Sequence, residues 1–243
     1  MYGEQPSAVP GTVRWRGAGV GDDHEVRVLP DGCMDLIWSD RGGDDGGLLV
    51  AGPDTVAYLA TRRAGETSIG LRFPPGTGPA VFGLAAHELR DQRVPLADLW
   101  PAADVRRLAG LVARSPYPGR VLEAAALDRL RAGPGPDPLA GEVVARLRAG
   151  RSVAATAAAV GLGERLLRRR SHALFGYGPK TLARILRMRR ALALVDAGRA
   201  AAEVAVTAGY ADQAHLAREI KALAGVPLGV LRPRRPDRPI AAA

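Results

Sequence analysis

Hydrophobic and polar positions follow two different periods along this chain. From residue 12 to 73 apolar residues alternate with polar ones or run in short blocks, at 12–16, 25–29, 34–38, 48–51, 55–59 and 67–73, which predicts strands. Turn chemistry separates them: residues 30–32, the glycine- and aspartate-rich 41–47, 52–54 and 64–66. No connection here is long enough for a helix, so an antiparallel sandwich or small barrel is expected rather than a parallel α/β sheet. From Gly78 the period lengthens. A short helix is predicted at 79–90, a connecting turn at 94–100, and two amphipathic helices at 102–114 and 118–132. Residues 133–138 alternate Gly or Asp with Pro and mark a linker.

The remaining hundred residues repeat themselves. A small-residue helix at 153–160 ends at Gly161 and is followed by a second helix that closes at Gly176. A helix from Glu203 ends at Gly209 and is followed by another that closes at Gly225. Short helix, tight glycine turn and polar-faced second helix is the helix-turn-helix plan. Ser152 is positioned to cap the first helix, with Ala154, Ala155, Ala158 and Val160 as its core contacts. In the second helix of unit one Leu166, Leu167 and Leu174 should point inward, leaving Arg165, Arg168 and Arg169 on the outer arc. In unit two Asp212 is an N-cap and Leu216, Ile220 and Leu223 form the core stripe. Gln213, Ala214, Ala217 and Arg218 then face outward, with His215 at the flank. Arginine can bond guanine O6 and N7, glutamine can bond adenine, and alanine suits a thymine methyl, so these faces fit a major groove.

Charge supports the same end of the chain. Residues 138–243 hold 19 Lys or Arg against 7 Asp or Glu, a balance of +12 within a net +9, so the first 137 residues stand at −3. Phosphate-backbone binding gains from such an excess. Arginine supplies 32 of the 34 basic residues, so compositional bias accounts for part of it, but not for the asymmetry. Mean hydropathy is −0.03 and no apolar run approaches the ~20 residues of a membrane span. A lone cysteine and an N-terminus without a basic-then-apolar layout point to the cytoplasm.

Residues 140–233 resemble the paired helix-turn-helix domain of AraC/XylS transcription regulators. The segment from Ala208 to Lys221 followed by 224–226 carries most of the likeness; Arg169, residues 176–179 and Arg187 fit as well. The resemblance implies that the second helix of each unit enters the major groove. By position the readers would then be Arg165, Arg168 and Arg169, and Gln213, Ala214 and Arg218, with His215 beside them. Ser171 stands where the family usually buries a Phe and Leu228 where a Pro is common, which bears on packing. The family plan adds an effector or dimerisation domain, and the strand-rich half fits a cupin-like sensor. Residues 29–38, 51–53 and 71–76 resemble an N-terminal domain often fused to such modules, with no ligand implied.

The expected division is a β-rich sensor at 1–100, a helical linker at 101–138, a DNA-binding domain at 139–235 and a disordered tail at 236–243. The linker helices either pack on the sheet or seam a homodimer. Double-stranded DNA is the expected partner, with a small-molecule effector, and RNA polymerase if the protein activates. No cofactor, metal or catalytic set is expected: the first half holds only His24 and His87, without a His-x-His pair, and no enzyme motif. Trp15, Trp38, Tyr58 and Phe73 are either core residues or the lining of a pocket. Two rivals remain at this stage: a stress sensor in which Cys33 is alkylated or oxidised, and an architectural binder without sequence preference.

Overall fold

A computed structural model describes residues 2–41 and 47–231. The tail expected at 236–243, and most of the 41–47 turn, lie outside the described residues. Eight strands open the chain: β1 (Tyr2–Pro6), β2 (Val13–Ala18), β3 (His24–Val28), β4 (Met34–Ser39), β5 (Leu48–Ala51), β6 (Tyr58–Arg62), β7 (Thr67–Phe73) and β8 (Arg93–Pro95). All pairings are antiparallel. Six strands form one sheet in the order β1-β2-β7-β4-β5-β8, and β3 pairs with β6 in a separate two-stranded layer. The expected antiparallel β domain is present, as two facing layers rather than a hydrogen-bonded closed barrel.

The period of two gives the larger sheet two different faces. Met34, Leu36, Leu48, Val50, Ile69, Leu71 and Phe73 point to one side and are buried. There they meet α1 (Gly78–Phe82), α2 (Ala102–Arg114) and α3 (Pro118–Ala132), with Phe73 and Phe82 edge to face at 5.6 Å. The alternate residues Cys33, Asp35, Ile37 and Ser39 of the β4 segment, with Leu49, Ser68 and Arg72, face a cavity on the other side that β3 and β6 cover. Trp15 lies opposite Gly70 in the β2–β7 register. A Cβ on Gly70 would sit 2.5 Å from Trp15 Cζ2, so only glycine lets the indole cross the sheet there.

Several expected elements are corrected. The helix predicted at 79–90 ends at Gly83, in a left-handed C-cap with φ 82°, and resumes only as a 3-10 turn over Ala86–Leu89. The turn predicted at 94–100 begins as β8, whose pairing to β5 joins residues far apart in sequence. Residues 55–57 are not strand, because they are held in a loop described below, and β6 starts three residues later than expected. Edge strand β1 was not foreseen, since Tyr2–Pro6 lacks apolar alternation. Helices α2 and α3 match their expected spans. They bury Val105, Leu108, Val112 and Leu122 under the sheet, which favours packing over a dimer seam and leaves Leu111 as their one large apolar residue in the open.

A second core gathers seven helices: α4 (Pro138–Arg148), α5 (Val153–Ala159), α6 (Glu164–Phe175), α7 (Pro179–Asp196), α8 (Ala201–Ala208), α9 (Gln213–Ala224) and α10 (Leu228–Leu231). The long α7 runs through it, burying Leu182, Ile185, Met188 and Ala191 against both halves of the repeat.

Candidate nucleic-acid interface

Each unit is built by local chemistry before it is packed. Ser152 Oγ accepts the Ala155 N–H at 3.1 Å and starts α5. The chain then turns at Gly161 with φ 68°. The core register of α5 differs from the expectation: Thr156 and Ala157 are buried, while Ala154, Ala155 and Ala158 are exposed. An alanine-rich helix carries no apolar contrast to fix its rotation, and the Thr156 hydroxyl can go inward because it donates to Ser152 O at 2.9 Å. In unit two Asp212 Oδ1 accepts the His215 N–H at 2.6 Å and starts α9, after Gly209 turns the chain with φ 84°.

The outward faces stand as expected. Leu167 and Leu174 of α6 are buried and Leu166 half-buried, while Arg165, Arg168 and Arg169 are exposed. On α9 Leu216, Ile220 and Leu223 are buried, while Gln213, Ala214, Ala217 and Arg218 are exposed. The heads of Arg165, Arg168, Arg169, Gln213 and Arg218 have no hydrogen-bond or ion-pair partner among the described residues, so they are available to a ligand. His215 differs. Its Nδ1 accepts the Ala211 N–H at 3.3 Å and its ring meets Tyr210 edge to face at 5.3 Å, so it helps form the turn. Ser171 is fully buried with no hydrogen bond to its hydroxyl, which is the local consequence of a small polar residue at an aromatic's usual place.

Side-chain ties fix both outer helices to the frame. Arg184 of α7 donates to Glu219 of α9 from Nε at 2.8 Å and Nη2 at 3.1 Å, and this bidentate bond holds the Glu219 carboxyl below its ordinary pKa. Arg187 donates to Gly209 O at 3.2 Å and lies 5.1 Å from the Tyr210 ring. In unit one Arg170 pairs with Asp137, the residue that caps α4.

The N-terminal domain meets the C-terminal ends of both outer helices, a feature with no signal in the sequence. Gly176, φ 85°, ends α6 against Pro53 and Ala86. At the end of α9 the Ala57 N–H donates to Leu223 O at 2.7 Å and Arg27 Nη1 donates to Ala224 O at 3.0 Å. These are carbonyls a helix leaves without internal partners, at the negative end of its dipole. The contacts on both helices come from one piece of structure. Asp91, at φ 59°, accepts the Thr55 N–H at 2.6 Å and its hydroxyl at 2.9 Å, and the Gly52 N–H donates to Gln92 O at 2.9 Å. Asp54 and Arg93 add a two-pronged ion pair, so loops 52–57 and 86–93 form a joint platform.

That ion pair also borders the cavity of the β domain, which encloses about 700 Å³. Tyr58 stacks 3.9 Å from the Arg93 guanidinium. Trp15 Nε1 donates to Asp35 Oδ1 at 2.7 Å, and Arg72 Nε lies 3.5 Å from the carboxylates of both Asp31 and Asp35. Burial raises Asp35 to about 6 despite the opposing pull of Arg72. Burial, then Asp31 and Asp35, push the Cys33 thiol well above its ordinary value, so it stays protonated, the reverse of an activated thiolate. Of the aromatic candidates, Trp15 and Tyr58 line the cavity, whereas Phe73 is in the core and Trp38 lies on the opposite face. Among the described residues no group of His, Cys, Asp and Glu could hold a metal, and no helix is long and apolar enough to cross a membrane.

Comparison with known proteins agrees with this division. Residues 156–234 match the family described as a helix-turn-helix domain, and residues 12–95 match a domain of unknown function (DUF6597). No curated protein matches the chain. Among solved structures the chain is similar to apo ToxT from Vibrio cholerae strain SCE256, with 9% identity over 93% of this chain and 98% of that one, at a TM-score of 0.49. ToxT from Vibrio cholerae O395 gives 9% identity over 90% and 95%, at 0.47. A further crystal form of ToxT from Vibrio cholerae gives 11% identity over 90% and 96%, at 0.46. The two families and the fold define a DNA-binding transcription regulator. Its C-terminal region is an AraC-type helix-turn-helix domain, joined to an N-terminal domain of the second family.

Proposed function

We propose that the chain reads specific DNA sequences in two successive major-groove segments and does so under the control of a small molecule held in the N-terminal cavity, in the cytoplasm. One observation carries the DNA half of this reading: two capped helices, fixed to one core, present Arg165, Arg168 and Arg169 and then Gln213, Ala214 and Arg218 to solvent with unpartnered heads. The faces divide the work. The arginine-only face of unit one suits affinity for phosphates and guanines, and the mixed face of unit two suits discrimination among bases.

A cavity of about 700 Å³ falls in the range of small-molecule sites, and its aromatic walls with convergent charged groups suit an effector with a polar or charged end. The protonated Cys33 gives the alkylation sensor no support from geometry.

Genome-wide mapping of bound sites for the wild type, Arg169→Ala and Arg218→Ala tests the reading. Each substitution should cost roughly 1–3 kcal/mol and relax preference at one base position of the bound sequence. Equal weakening on every sequence would make both arginines phosphate contacts and overturn the assignment of base readers.

A further inference from the structure

The outer stripe of α6 does not end with the arginines. Arg165, Arg168, Arg169 and His172 lie on one arc, and His172 is near the helix end, about 12 Å along the axis from Glu164. A B-form major groove is only about 12 Å wide, so a helix that enters by its first turns brings His172 to the groove rim, where phosphates stand. At that place the platform of the N-terminal domain begins. Ala86 abuts Gly176, with its carbonyl 3.3 Å from where a Cβ would be, so the 3-10 turn and Arg90 run beside the last turn of α6.

The side chains there are basic and open. His87 and Arg90 are exposed, and both act electrostatically on His172, as does Arg168. Two acids lie close by, but each is occupied. Glu88 accepts the Ala85 N–H at 3.0 Å, and Asp91 is taken up by Thr55, leaving 3.9 Å to the Arg90 Nε. The His87 ring has no hydrogen-bond partner among the described residues. A positive, unspent patch thus continues a recognition stripe across a domain boundary.

We propose that the DNA interface extends onto the N-terminal domain, where Arg90, with His87 beside it, holds the phosphate backbone at the rim of the groove entered by α6. The proposal rests on the DNA-binding reading above. It gives the sensor domain a direct hold on the operator, so that a shift of the platform changes affinity without any change in the base readers.

The test uses the full chain and a duplex selected by the wild type from a random-sequence pool, with affinity measured by fluorescence anisotropy between 50 and 200 mM salt. Loss of one phosphate contact in Arg90→Ala should lower the salt slope by about 0.9, so that wild type and variant differ by roughly 3–4-fold less at the upper salt than at the lower. Base preference should be unchanged, and Arg90→Lys should restore the slope. A wild-type slope in Arg90→Ala, or tighter binding by it, overturns the proposal. Arg218→Ala separates the two levels: if it alters base preference while Arg90→Ala does nothing, only the extension fails, and if neither changes binding the DNA reading itself fails.

Discussion

Alanine substitution at three glycines measures how firmly the two domains are joined. Gly176, Gly209 and Gly225 cap helices with φ of 85°, 84° and 73°, so an L side chain at each meets the same left-handed backbone, at roughly 1–2 kcal/mol. Their surroundings differ. A Cβ on Gly209 meets nothing within 4 Å. On Gly225 it comes 3.2 Å from Arg27 Nη1, the end of a flexible side chain that can give way at the expense of its bond to Ala224 O, itself about 1 kcal/mol. On Gly176 it lies 2.5 Å from Pro53 Cγ, in a ring that cannot rotate aside and that belongs to the platform. Overpacking of this kind typically adds about 1–3 kcal/mol. Thermal unfolding of the full chain should rank the variants Gly209→Ala, Gly225→Ala, Gly176→Ala in order of increasing loss, at about 2–4 °C per kcal/mol. Equal losses at 176 and 209 would refute the docking of Pro53 on α6, because the backbone cost cancels in the comparison.

Two further outcomes concern ionisation. Glu219 has a lowered pKa when folded, so the stability it shares with Arg184 is present above its unfolded value near 4.5 and lost as pH falls through the folded value. Because both side chains are partly exposed, Glu219→Gln should cost only about 0.5–1 kcal/mol at neutral pH, and its unfolding temperature should fall less than the wild type's on acidification. Wild-type and variant curves of the same shape would show that the pair does not hold α9. Asp35 behaves in the opposite sense. Folding raises it from 3.8 to about 6, so the folded chain binds that proton more tightly and this group's contribution grows as pH falls from about 6 towards 4. Asp35→Asn, which still accepts from Trp15, should stabilise the protein at pH 8 by on the order of 1–2 kcal/mol, short of the full shift because Arg72 loses a partner. Destabilisation at pH 8 would mean that the Arg72 pair outweighs the burial cost.

The sequence by itself determined the pieces whose causes are local. A period of two over 34–38 and 67–73 sets which residues face each side of a sheet, and Ser152, Asp212, Gly161 and Gly209 set where the helices of the repeat begin and turn, through hydrogen bonds and backbone angles within a few residues. Those signals also placed Arg165, Arg168, Arg169, Gln213, Ala214 and Arg218 on outward faces, since Leu167, Leu216 and Ile220 leave one rotation for each helix. Where local contrast is weak the reading failed: all-alanine α5 took another rotation, and 55–57 left the strand because Asp91, far along the chain, holds Thr55. Only the tertiary structure decided what lies beside what. The pairing of Asp35 with Arg72 across β4 and β7, the cavity above them, and the contact of Pro53, Ala57 and Arg27 with the ends of α6 and α9 join residues separated by dozens to nearly two hundred positions. Such contacts depend on how preformed elements pack, and packing energy is shared among many side chains rather than written at any one of them.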